Sequence, residues 1–250
     1  MSQSDLVSKF IPTDHQLNFV YRSWFMATSD FNGDGLLSVF RDDIVAFSNL
    51  FGWVFDPRTG RENPFICRKN QEENLREICL NAGKKDVVFW YDREYGATQL
   101  ALMVALHAYA LGSSDLKRIL LVGRNEESSY CAQDMDSLGQ KFEWMISRLP
   151  LFMHDTEVEF LHNGISRTWI NKRVGVTVEV SPAVSVPDAG RYDWLVADPL
   201  STFQTPQSIA DATLHIAKSR LFTLDKRPSD DEFTTRMEAT YPASYVMLQS

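Results

Sequence analysis

Cysteine is scarce in this chain: three in 250 residues, at positions 67, 79 and 131. The number is odd and the spacings match no metal-ligand pattern. Neither a disulfide framework nor a zinc site is therefore expected, and the unpaired count fits a reducing compartment. The histidines His15, His107, His154, His162 and His215 include no HxxxH or HExxH pair. No apolar run approaches the roughly 18 residues that a membrane-spanning helix needs. The polar start MSQSDLVSK has no secretory h-region, so a soluble, non-secreted protein is expected. A basic excess is also missing, since 25 Lys and Arg against 33 Asp and Glu leave a net charge of -8. A protein that coats nucleic acid through phosphate contacts would carry the opposite sign, although Lys172-Arg173 and Lys226-Arg227 offer small basic patches. There is no internal repeat and no low-complexity linker. What these absences leave is a globular chain with 44% hydrophobic residues, enough for one large α/β domain or two small ones.

The rhythm of apolar residues changes along the chain. Residues 14–28 carry them at helical spacing, and a second helix is predicted from about Val39 to Val54. Between the two lies a polar, glycine-rich turn. Its residues Asp30, Asn32 and Asp34 fall at positions 1, 3 and 5 of a calcium loop, with Arg41 where the bidentate glutamate belongs. A weak Ca²⁺ site and a plain Asx/Gly turn are the two readings of that stretch. Asp56–Gly60 is turn chemistry, and a helix is predicted over 70–82. From there strands alternate with helices. The runs DVVFWY (86–91), RILLV (118–122) and WLVA (194–197) read as strands covered on both faces. Helices are predicted at Leu100–Leu111, about Ser129–Leu149 and Pro206–Ala217. Further β segments are predicted at 158–161, 167–170, 174–180 and 220–224. Such alternation implies an α/β fold with a mainly parallel sheet, whose ligands bind at the carboxyl ends of the strands. That places residues 93–98 and Asp198 on one rim.

The turn after DVVFWY reads Asp92-Arg93-Glu94-Tyr95-Gly96-Ala97-Thr98. A full P-loop, GxxxxGK[ST], cradles phosphates with backbone amides, neutralises them with lysine and holds Mg²⁺ with the hydroxyl. Here the strand, the glycine, the threonine and the following apolar helix are present. The lysine is not, because Ala97 stands in its place. At the end of WLVA, Asp198 matches the Walker B aspartate, while Pro199 occupies the position of the glutamate that activates water.

An ordered series of segments resembles the large subunits of viral DNA-packaging terminases. YDREYGAT (91–98) resembles a terminase pattern like KSRDMGAS, in which the lysine opens the loop; that lysine is Tyr91 here. FGWVFDPRTGRENPFICRKNQ (51–71) is similar to an aromatic stretch, DPR turn, PFI and glutamine. GRNEE (123–127) resembles SRKEE, and DMDSL followed by Leu149-Pro150 resembles DPDSL…LP. His162-Asn163-Gly164 and Gly190-Arg191 fit the family's NGS turn and its GGR before Walker B. The altered stretch Phe222–Pro228 stands where an STP-like coupling motif belongs.

The resemblance implies a P-loop NTPase-like ATPase domain at 51–250 after an N-terminal helical segment at 1–50. Large terminases also carry a nuclease domain, which is not expected in the few residues after the last predicted strand. It implies ATP and Mg²⁺ as the ligands to test. Gln71 would read the adenine edge, Arg93, Gly96, Ala97 and Thr98 would take the phosphates, and Thr98 and Asp198 would hold Mg²⁺. The nearby cations that could replace the lysine are Arg93, Lys84 and Lys85, and Glu94 or Asp193 are candidates for the missing base. The implied partners are terminase subunits, the portal and double-stranded DNA in the host cytoplasm, with no membrane contact and a homo-oligomer among the arrangements. Three altered motifs favour a pseudoenzyme of DNA packaging and virion assembly that acts by binding. The alternatives are a short, divergent ATP-hydrolysing motor subunit and a calcium-responsive adaptor.

Overall fold

The computed structural model describes residues 10–28, 34–56, 59–91, 95–161, 166–183, 191–198, 220–226 and 245–249. The helices are α1 (His15–Thr28), α2 (Asp34–Asp42), α3 (Ile44–Phe51), α4 (Lys69–Asn81), α5 (Ala97–Leu111), α6 (Glu126–Ser129) and α7 (Leu138–Ser147). The strands are β1 (Trp53–Asp56), β2 (Arg61–Pro64), β3 (Asp86–Tyr91), β4 (Arg118–Gly123), β5 (Thr156–Leu161), β6 (Ser166–Asn171), β7 (Val176–Pro182), β8 (Trp194–Asp198), β9 (Arg220–Lys226) and β10 (Tyr245–Gln249). No helix among the described residues is long and apolar enough to cross a membrane.

Eight strands form one sheet in the order β10-β3-β9-β8-β4-β7-β6-β5, and β1 and β2 make a separate antiparallel ribbon. From β10 to β7 every neighbouring pair is parallel. β6 and β5 extend that edge in antiparallel fashion. Strands buried on both faces have no reason to alternate: β4 is buried from Ile119 to Gly123 and β8 from Trp194 to Ala197. The sheet is thus the mainly parallel, helix-flanked α/β architecture that the apolar runs require. β9 lies between β3 and β8, so the two strands that lead to the candidate motifs are separated by a single strand.

α5 is the centre of the helical layer. Every residue from Leu100 to Leu111 is buried, which is why this helix is apolar on all sides. It packs against α2, α3, α4, α7 and β7.

Two predicted helices are broken, each by a short polar side chain. The helix foreseen over 39–54 is instead α2 and α3, because Asp43 takes extended angles and its Oδ1 accepts from the amides of Val45 and Ala46. Trp53 and Val54 then leave the helix for β1. The helix foreseen over 129–149 is α6 and α7, joined by a turn. In that turn Asp134 Oδ1 accepts from the Asp136 amide, and Ser137 Oγ bonds to Cys131 and Asp134. Asp and Ser offer the backbone local partners that compete with a helix. The β1–β2 ribbon and β10 were not foreseen, and the helix predicted at 206–217 lies outside the described residues.

Candidate functional site

β3 brings the chain to the carboxyl rim of the sheet, and α5 carries it away. Between them Tyr95 is buried, with its ring edge-on to Phe89 at 5.7 Å and Asn74 Nδ2 donating to its hydroxyl at 2.8 Å. Gly96 follows as the N-cap of α5, with φ 83° and ψ 27°. That left-handed conformation costs a residue with a Cβ about 1–2 kcal/mol, so glycine is the residue the turn needs. No side chain caps α5. Its first-turn N–H groups, at the positive end of the helix, are free to meet an anion.

Thr98, in that first turn, donates its hydroxyl to Asp198 Oδ2 at 2.7 Å across 100 positions of sequence. The sheet makes this contact: β8 ends at Asp198 one strand beyond β9, on the same rim that β3 leads to. Burial pushes the Asp198 carboxyl above its ordinary value, while the Thr98 hydroxyl and the charge of Lys141 on α7 pull it back. A hydroxyl and a carboxylate beside an uncapped helix N-terminus are hard oxygen donors of the kind Mg²⁺ takes with phosphates. The residues present therefore fit a magnesium–nucleotide group: Thr98 and Asp198 could hold the metal, and Gly96, Ala97 and Thr98 could face the phosphates.

Gln71, in the first turn of α4, is buried and already engaged. Its Oε1 accepts from the Arg68 amide at 3.0 Å, and its Nε2 donates to the Tyr95 carbonyl at 2.8 Å. It braces the loop, and one Nε2 hydrogen and one oxygen lone pair are left over for a ligand. A cleft of about 420 Å³ opens beside it, lined among others by His15, Val54, Phe65, Gly96 and Gln99.

The far wall of this cleft is held by a buried arginine. Arg22 of α1 donates to Asn18 Oδ1 and to the carbonyls of Gly52, Asn49 and Phe65, over 2.5–3.2 Å. Its guanidinium also lies 5.0 Å from the Trp53 ring centroid. Burial lowers its pKa to about 9, which leaves it charged at neutral pH. Asn49 Oδ1 in turn accepts from the Cys67 amide at 2.8 Å. Neither asparagine nor Arg22 belongs to a motif. The apolar pattern gave no signal for Arg22, since Asn18, Arg22 and Phe25 are the buried face of α1, while the apolar Leu17, Val20 and Trp24 are exposed.

Other sequence candidates lie elsewhere. Lys84 and Lys85 precede β3 and so sit at the opposite end of the sheet. Lys84 pairs with Asp115 at 3.3 Å and lines a separate cavity of about 910 Å³. Asp193 precedes β8 at that same far end, where its Oδ2 accepts from the amides of Lys117 and Arg118 at 2.7 and 2.9 Å. A strand of five or six residues spans about 16–20 Å, so none of these three serves the loop. Lys172 pairs with Glu157 at 2.8 Å on the antiparallel edge. Asp34 opens α2, and Arg41 Nε donates to the Leu111 carbonyl at 3.3 Å. Asp30, Asn32, Arg93, Glu94 and Pro199 lie outside the described residues. The cysteines are buried or half-buried, and burial raises the thiol pKa to about 12 at Cys67 and about 11 at Cys79.

No protein-family model and no curated sequence matches the chain. Among solved structures, the large terminase of bacteriophage HK97 superposes on 84% of this chain, with TM-score 0.55 and 14% identity. Over that part the fold is similar to that of the phage large terminase. The chain spans 43% of the length of the HK97 protein. The ATPase domain of the Thermus phage P74-26 large terminase matches 74% of this chain and 82% of its own length, at 12% identity and TM-score 0.45. The likeness in fold to the HK97 protein agrees with the terminase resemblance of the sequence segments. The contact between Thr98 and Asp198 lies at the carboxyl rim of the sheet.

Proposed function

We propose that this chain is a nucleotide-binding component of a viral DNA-packaging assembly, which holds Mg-ATP between Thr98 and Asp198 and hydrolyses it slowly. The observation that carries this reading is the 2.7 Å hydrogen bond between those two side chains, at the start of α5 and the end of β8. The free amides of the α5 N-terminus would bind the phosphates. The Thr98 hydroxyl and the Asp198 carboxyl would share the magnesium, which neutralises phosphate charge when bound. Pro199 has no group that can take a proton from water, and losing a positioned base costs on the order of 10²–10⁴ in rate. The packaging context rests on the terminase fold, with terminase subunits, the portal and duplex DNA as the partners to test.

The test is a gain of function. Pro199→Glu is expected to raise the ATPase rate of the purified chain by about 10²-fold or more. A wild-type rate that Pro199→Glu leaves unchanged would defeat the slow-hydrolysis reading. A second reading, a motor subunit that hydrolyses ATP with a base from elsewhere, draws on the register Gly123↔Asp198. That pairing puts the exposed Glu126 and Glu127, just past β4, on the same rim. In that case Glu126→Gln or Glu127→Gln would abolish a substantial wild-type rate.

A further inference from the structure

Neither lysine position of the loop holds a lysine, since Tyr91 and Ala97 occupy them, yet a triphosphate bound at α5 needs a cation beside it. Lys84 and Lys85 are excluded by their place at the far end of β3. The helical layer brings another. α7 packs across α5 and β4. Gly139 in its first turn lies so close to β7 that an added Cβ would come within 2.8 Å of Val180 Cγ1. Val180 is in register with Leu121, and Leu121 with Val196, so this turn of α7 stands at the level of β8 just short of Asp198. Val196 belongs to the core on the α5 side of the sheet, and Asp198, two positions on, points the same way to meet Thr98.

One helical turn along from Lys141, on the same side of α7, Met145 Sδ lies 3.5 Å from Nε2 of Gln99, the residue after Thr98. Lys141 is therefore carried on the stretch of α7 that borders the first turn of α5. Its ammonium is partly covered, and its partner Asp136, at 3.0 Å, is an exposed carboxylate. Such a pair contributes little and is easily exchanged. Among the described side chains, Lys141 is the cation whose charge acts on Asp198.

We propose that Lys141, supplied from α7, is the phosphate-neutralising lysine of this site in place of the missing P-loop lysine. The proposal rests on the nucleotide-binding reading above and adds to it the source of the positive charge. When nucleotide binds, Lys141 leaves Asp136 and turns its ammonium to the phosphate oxygens beside Thr98. The cation then comes from a neighbouring helix of the same chain, not from the loop itself.

Calorimetric titration of the purified chain with Mg-ATP separates the outcomes. Wild-type protein is expected to bind, Asp198→Asn to bind more weakly, and Lys141→Met to lose at least tenfold in affinity. Lys141→Arg should stay within about threefold of wild type. Because Lys141 is partly exposed and its ion pair contributes little, the Met variant is expected to melt as wild type does; if it does not, Lys141→Gln measured below both melting temperatures replaces it. Wild-type affinity in Lys141→Met together with weakening in Asp198→Asn overturns the role of Lys141 and leaves the nucleotide site standing. Weakening by Arg93→Gln or Lys226→Gln but not by Lys141→Met places the cation elsewhere and overturns it too. A wild-type chain that takes up no Mg-ATP overturns both readings.

Discussion

A carboxyl group pushed up by burial is a stability statement as well as a chemical one. Asp198 has its ordinary value near 3.8 raised in the folded chain, chiefly by burial. The folded state therefore holds the proton more tightly than the unfolded state does. The stability this contributes is complete below 3.8 and is lost as pH rises through the higher folded value. Asn at this position still accepts from Thr98 but carries no charge. Asp198→Asn is expected to melt above wild type at pH 7.5. The gap should close at pH values below the ordinary Asp range, and scanning calorimetry at both pH values checks it. A wild type that is the more stable at pH 7.5 would contradict the burial argument. His107 has the opposite sign. Its Nε2 lies 2.9 Å from the Phe40 carbonyl and its ring edge-on to Phe47, and burial lowers its pKa below 6.5 although Asp43 and Asp42 raise it. Its contribution is complete above 6.5 and is lost as pH falls through the lower folded value. The melting temperature should therefore drop on acidification below 6.5, and His107→Gln should flatten that slope.

At the scale of elements, single polar side chains decide where helices stop and how the cleft wall stands. Arg22 joins α1 to the carbonyls before β1 and after β2. Arg22→Met would remove this donor from three buried carbonyls. Asn49 keeps the Asn18 amide and Gly52 the Phe65 N–H. Phe65 is then the group left unsatisfied, at about 1–3 kcal/mol, with the packing on Trp53 lost as well. A loss of at least ~2 kcal/mol in urea unfolding is expected, with faster amide exchange at Cys67, whose N–H is held by Asn49. An Arg22→Met chain as stable as wild type would remove the clamp from the account.

The same elements show how far the sequence could be read. The continuous apolar runs of β4 and β8 and the uniformly apolar α5 were legible because double-sided burial leaves no polar interruptions. Gly96 was legible because a left-handed turn favours glycine, and the nearness of Thr98 to Asp198 because both stand at the carboxyl ends of strands in one parallel sheet. The breaks at Asp43 and at Asp134–Ser137 were not, because helical periodicity continues through them while the side chains quietly bind the backbone. Arg22 and the placement of Lys141 were hidden for another reason: both depend on which helix face turns inward and on a strand register, and neither leaves a local pattern. β10 is short, and pairs only along β3 among the described strands.

The whole molecule is a sheet with two chemically different ends. The carboxyl rim gathers Gly96, Thr98, Asp198 and the α7 turn with Lys141. The other end carries the Lys84–Asp115 pair and the cap by Asp193. Net charge of -8 makes broad, non-specific contact with DNA unfavourable, so any contact with duplex must use a local basic patch. The strand order that places β9 between β3 and β8 keeps Thr98 and Asp198 within one hydrogen bond of each other, and it is this distance that the nucleotide reading depends on. The most direct measurement is the melting temperature of the wild-type chain with ATP, in the presence of Mg²⁺ and again with the metal chelated. A ligand at 100 times its Kd stabilises by about 2.7 kcal/mol, which corresponds to a rise of roughly 5–10 °C. The account predicts that rise with Mg-ATP, little of it without the metal, and a smaller one in Asp198→Asn at the same ATP concentration. An unchanged melting temperature in saturating Mg-ATP, or an equal rise in Asp198→Asn, would contradict it.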